Sequence, residues 1–73
     1  MNKDYIINTI KNNADAINSV KLNGEIFNIF GVVPENADTD DVVLILDDEE
    51  LTPLTVKDLL EHDEVRFYKL QEI

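Results

Sequence analysis

Cysteine is absent from this 73-residue chain. That excludes a disulfide framework and a thiolate metal site. Long apolar runs are absent too. None approaches the roughly 20 residues that a membrane-spanning helix needs. The start, Met1–Tyr5, shows no apolar stretch behind a basic one, so no signal peptide is expected and a cytoplasmic location is the default. There is no G-x-G-x-x-G, no P-loop and no H-E-x-x-H. Histidine occurs once, at His62, and serine once, at Ser19, far from it in sequence. A general base needs an orienting partner and a nucleophile or substrate within reach, and these residues do not supply that set. The chain is therefore not expected to be an enzyme, and no cofactor is expected.

Basic residues are also scarce. Six Lys and Arg stand against 16 Asp and Glu, for a net charge of -10. The imbalance is confined to one part of the chain. Residues 1–33 hold three lysines and three acids, which cancel. Residues 34–73 hold three basic residues against thirteen acids and carry the whole deficit. A strong negative field repels nucleic acid and anionic membranes and attracts basic surfaces. Direct nucleic-acid or membrane binding is thus disfavoured, and a basic protein surface is the expected partner. The plainer consequence of such a charge is solubility.

Against these absences one stretch stands out, Asp41–Glu50. Its five apolar residues, Val42–Leu46, are rich in β-branched types and too few for a free-standing helix. They read as a strand buried on both faces and central in its sheet. Asp38, Asp40 and Asp41 precede it, and Asp47, Asp48, Glu49 and Glu50 follow it. A buried strand bracketed in this way must bring both acidic clusters to the surface.

The other elements follow from local signals. Asn2 to about Asn13 predicts a helix, with Asn2 as N-cap and Asp4 in the first turn, where the dipole favours an acid. Ile6, Ile10 and Ile17, with Ile7 and Ala14, mark its buried stripe. The helix stops at Asn13 or continues to about Ile17. Asn23-Gly24 between two alternating runs predicts a two-residue type I′ hairpin. That turn pairs Leu22 with Glu25, Val20 with Phe27 and Asn18 with Ile29. Leu22, Val20, Phe27 and Ile29 then form the core face. Ile26 and Phe30 fall on the other face, either beneath the second half of the chain or as an apolar patch for a partner. Pro34 ends that strand. Thr52–Leu60 predicts a short helix, entered either with Pro53 at its first position or with Thr55 and Asp58 in a capping box. Glu64–Leu70 is a last strand.

The expected fold is a single α+β domain, 1–73, in the order α-β-β-β-α-β, with two helices on a mostly antiparallel four-stranded sheet. A domain this small buries only about 60% of its unfolded surface, so dimerisation would usefully cover more of it.

Three candidate sites emerge. The stretch Asn36–Asp47 partly matches a calcium loop, with Asn36, Asp38, Asp40 and Asp47 at ligand positions. It has Asp41 where a glycine is needed, and its flanks read as strands. Asp47–Glu50 could hold magnesium, but sites of that kind gather acids from several elements around a phosphate-binding group. A solvated acidic turn is the simpler account, and no metal site is expected. The third candidate is a protein-binding acidic surface made of Asp38, Asp40, Asp41, Asp47, Asp48, Glu49 and Glu50, extended by Asp58, Glu61, Asp63 and Glu64. His62 reads as a surface residue favoured by a helix C-terminus, and Tyr5 and Tyr68 as residues at the core edge.

Acyl carrier proteins are similarly small and acidic, but they are all-helical and need Asp-Ser-Leu at a helix start. Here the single serine lies in Asn18-Ser19-Val20. Ubiquitin-like sulfur carriers end in Gly-Gly, whereas this chain ends in Gln71-Glu72-Ile73. In size and charge the chain resembles the small acidic inhibitors of phages and mobile elements, which occupy nucleic-acid sites on host enzymes. That resemblance implies a DNA-mimicking, non-catalytic binding protein whose partner is a nucleic-acid-binding host enzyme. A second reading is a homodimeric accessory domain working through Ile26 and Phe30. A third, carboxylate metal binding, ranks last.

Overall fold

A computed structural model describes residues 2–73. The elements are α1 (Lys3–Asn13), β1 (Ser19–Leu22), β2 (Glu25–Val32), a 3-10 turn (Pro34–Asn36), β3 (Val42–Leu46), β4 (Pro53–Thr55), α2 (Val56–Leu60) and β5 (Val65–Tyr68). The strands form one sheet in the order β4-β3-β2-β1-β5. Every pairing in it is antiparallel. The α+β class thus agrees with the sequence, but the sheet has five strands where four were expected.

The additional strand is β4. The sequence reading placed Pro53–Thr55 at the entry to a helix. Thr55 does cap α2, through a capping box in which its hydroxyl accepts from the Asp58 N–H at 3.0 Å and the Asp58 carboxylate accepts from the Thr55 N–H at 2.9 Å. The residues before the cap stay extended and pair with β3, Ile45 opposite Pro53 and Val42 opposite Thr55. Proline lacks an N–H and is tolerated in a strand only at an edge, which is where β4 lies. A second correction concerns β3. It is an interior strand, between β2 and β4, but the middle of the sheet is β2. Val43, Leu44 and Leu46 are buried, while Val42 and Ile45 are half-buried.

Local chemistry explains the rest. The Asn2 side chain accepts from the N–H groups of Asp4 and Tyr5 and so starts α1. α1 stops at Asn13, whose carbonyl accepts from both Ala16 and Ile17. Asn23 and Gly24 have φ of 49° and 87°, the left-handed pair that a type I′ turn requires. The hairpin register is the expected one, Leu22 opposite Glu25 and Val20 opposite Phe27.

One face of the sheet supplies Val20, Leu22, Leu44, Leu46, Val65 and Phe67 to the core, where Ile6 and Ile10 of α1 and Val56 and Leu59 of α2 meet them. The opposite face carries Lys21 beside Ile26 and Arg66, and Ser19 beside Asn28 and Tyr68. Alternation along β2 places Phe30 on that face with Ile26 and Asn28, just before the register with β3 shifts between Ile29 and Gly31. Ile26 is 60% exposed and Phe30 64%.

Part of each sheet edge is already occupied. At β5 the Phe67 N–H donates to the Tyr5 hydroxyl at 3.0 Å, and the Phe67 carbonyl accepts from the Ile73 N–H at 2.9 Å. At β4 the Thr55 N–H is held by Asp58, and Pro53 has no N–H to offer. A ladder group held in this way is not open to pairing with another chain.

Candidate functional site

Antiparallel pairing decides which loops share an end of the sheet. The β1–β2 turn, the β3–β4 turn and the α2–β5 connection lie together, because β1 and β3 run toward that end and β5 starts from it. The first and the last of these interlock. The Asn23 N–H donates to the Glu64 carbonyl at 3.1 Å, and the Glu64 N–H donates to the Asn23 side-chain oxygen at 3.0 Å. The Gly24 N–H donates to the Glu64 carboxylate at 3.1 Å. Asn23, Glu25, Asp48, Thr52 and His62 also border one groove.

The outcome is a strongly acidic end. Segment 23–25 contributes Glu25, segment 47–52 contributes Asp47, Asp48, Glu49 and Glu50, and segment 61–64 contributes Glu61, Asp63 and Glu64, eight carboxylates with no lysine or arginine among them. Arg66 lies next to this end, but it is held by Glu64 at 3.2 Å and Glu72 at 2.7 Å. Those two carboxylates raise its already high pKa, the hydrogen bond it donates to Glu72 most of all, so it stays charged.

The second predicted cluster lies elsewhere. Asp38, Asp40 and Asp41 belong to the loop after the 3-10 turn, at the other end of β3. The five residues of β3 separate the two clusters, a span of roughly 17 Å at the usual strand rise. That is about twice the Debye length of roughly 8 Å at physiological salt, so the two ends act as separate fields. Asp38 forms an ion pair with Lys11. Asp38 and Asp40 also border a groove with Lys3 and Lys57. The Asp38–Asp41 end is thus mixed in charge, whereas the three turns of the Asp47–Glu50 end hold no lysine or arginine; Lys21 and Arg66, paired across β1 and β5, stand one register step behind them.

Besides Glu64, which holds Gly24 and Arg66, two further predicted acids do structural work. The Asp48 carboxylate accepts from the Thr52 N–H at 2.9 Å and the Thr52 hydroxyl at 2.6 Å, which closes the β3–β4 turn over Leu51, a residue with φ of 52°. Those two hydrogen bonds, the hydroxyl first, hold the Asp48 pKa below the ordinary 3.8. Asp58 is committed to the α2 cap. Asp47, Glu49, Glu50, Glu61 and Asp63 are exposed.

The calcium-loop pattern does not close. Its first and last positions, Asn36 and Asp47, lie beyond opposite ends of the extended β3. The Asn36 side chain is already used, donating to the Val42 carbonyl at 2.8 Å. Among the described residues, no three His, Asp or Glu side chains gather in a group that could hold a metal ion. None of the helices there is long and apolar enough to cross a membrane.

His62 is half-buried, with Nδ1 3.1 Å from the Asp58 carbonyl in the last turn of α2. Glu25 is the site residue that sequence reasoning passed over. The available signal was its place in the Asn23-Gly24-Glu25 hairpin, but the partner turns come from residues 47–52 and 61–64, which no local pattern connects to it. Comparison with family models, curated proteins and solved structures gives no match to this chain.

Proposed function

We propose that this chain is a small, non-catalytic protein-binding module that offers the acidic end of its sheet to a basic protein surface. In its sharpest form it is an inhibitor of the phage or mobile-element kind, set against the nucleic-acid site of a host enzyme. The observation that supports this reading is the convergence of eight carboxylates from three turns, with no lysine or arginine in those segments. Carboxylates on neighbouring turns can stand in for phosphates toward Lys and Arg through charge-assisted hydrogen bonds. Binding of this kind weakens as salt rises. Asp48 and Glu64 are occupied within the fold, so Glu25, Asp47, Glu49, Glu50, Glu61 and Asp63 carry the contact. The test is partner capture from host lysate at low and at high salt, with wild type and with Asp47→Asn, Glu49→Gln and Glu50→Gln combined. The expected partner is basic, is released by salt and is lost with the amide variant. An unchanged set of partners contradicts the reading.

The exposure of Ile26 and Phe30, 60% and 64%, favours a second reading, a homodimer formed through the open sheet face. The two share one solvated face of β2, with Asn28 between them, and apolar side chains gathered on such a face mark a contact surface. Sedimentation at micromolar protein separates the two. A dimer dissolved by Phe30→Asp supports the second reading, and a monomer indifferent to that change removes it.

A further inference from the structure

The helix layer does not cover the whole core face of the sheet. α1 has eleven residues and packs Ile6 and Ile10 on it, but α2 has only five, about 7.5 Å of helix, and Phe27, Ile29 and Leu54 of that face stay half-buried. The uncovered corner is a groove of about 420 Å³, near the lower end of ordinary ligand clefts. Its floor is apolar, from Leu22, Phe27, Leu46 and Leu54, and its rim includes Glu25 and Asp48. Phe27 and Leu54 are only half-buried, so part of that floor faces solvent. The groove opens at the acidic end of the sheet, between the turns that carry Asp47, Glu49, Glu50, Glu61 and Asp63.

From this conjunction we infer that the groove receives one large apolar side chain of the partner, on a segment where lysine or arginine flanks it. The inference rests on the reading of the acidic end as a partner surface and adds a specific anchor to it. An acidic rim rejects an acidic segment by like-charge repulsion and draws a basic one. The apolar floor supplies what a purely charged contact lacks, a desolvated anchor of the kind that carries most of the energy in protein interfaces. The anchor also provides specificity, because charge alone would accept any polycation.

The test is a titration of the full chain, followed by amide chemical shifts, with three capped peptides. They are Lys-Arg-Leu-Lys-Arg, the same peptide with alanine in place of leucine, and Glu-Glu-Leu-Glu-Glu. The leucine peptide is expected to bind at least about fivefold tighter than the alanine peptide, a difference of about 1 kcal/mol. Its shifts centre on Leu22, Phe27, Leu46 and Leu54. The acidic peptide does not bind, and Glu25→Lys, an exposed change, weakens the leucine peptide. Equal binding of the two basic peptides, with shifts confined to the acidic turns, overturns the groove and leaves the acidic-end reading standing. Shifts centred on Ile26 and Phe30, or no shift with any peptide at millimolar concentration, overturn the inference.

Discussion

Asn23 and Glu64 hold each other by two backbone-directed hydrogen bonds, at 3.1 and 3.0 Å, across 41 positions of sequence. The same asparagine supplies a left-handed residue to the hairpin. It therefore sets a local turn and joins that turn to the connection entering β5. Replacing it separates the two roles. Asn23→Gly keeps the turn and loses the side-chain acceptor, which costs about 1 kcal/mol. Asn23→Ala loses the acceptor and also the short polar side chain that lets asparagine hold a left-handed conformation, bringing the loss to about 2–3 kcal/mol. Urea unfolding measures both. Equal losses for the two variants would remove the conformational half of the argument.

Tyr5 closes the β5 edge. Its hydroxyl accepts from the Phe67 N–H and donates to the Ile73 carbonyl, and its ring lies 5.9 Å from that of Phe67. Tyr5→Phe retains the ring contact and strands the Phe67 N–H. A loss of about 1–3 kcal/mol is expected, the penalty for an unpaired buried donor. Hydrogen exchange at the Phe67 amide rises by more than at Val20 on the neighbouring strand. Uniform exchange would mean that the hydroxyl does not protect the edge.

Asp48 makes stability depend on acid pH. Its pKa is lowered in the folded chain by the Thr52 hydroxyl and N–H, from an ordinary 3.8. A carboxyl with a lowered folded value contributes stability that is complete above the unfolded value and is lost as pH falls through the folded one. The stability difference between wild type and Asp48→Asn is therefore constant above about pH 5 and shrinks below about 3.8. Chemical denaturation across that range checks the sign. A difference that grows on acidification contradicts it.

Much of the fold was legible because its signals are local. The Asn2 cap, the Asn23-Gly24 turn with its register, and the Thr55–Asp58 capping box each depend on residues within a few positions of one another. β4 was not legible, because Pro53–Thr55 is extended only through its pairing with β3, while the adjacent capping box reads as helix. The site was half legible for a related reason. Read along the chain, the acid clusters before and after Val42–Leu46 group naturally into one binding surface. In space the strand between them keeps Asp38–Asp41 and Asp47–Glu50 apart. The neighbours of the second group, Glu25 and Glu61–Glu64, arrive by strand pairing. Lys11 beside Asp38 is likewise a tertiary contact, across 27 positions. Such exposed pairs add about 0–1 kcal/mol to stability, yet this one offsets part of the charge at the Asp38–Asp41 end.

The most direct test compares the two ends of the sheet in one capture experiment. One variant neutralises Glu25, Asp47, Glu49 and Glu50 to their amides, and the other neutralises Asp38, Asp40 and Asp41. The two bait proteins lose similar amounts of charge, and neither change touches Asp48 or Asp58. The account predicts that the first variant loses a basic, salt-sensitive partner and that the second retains it. Equal retention by both variants, or loss confined to the second, would contradict the claim that the binding surface is the acidic end of the sheet.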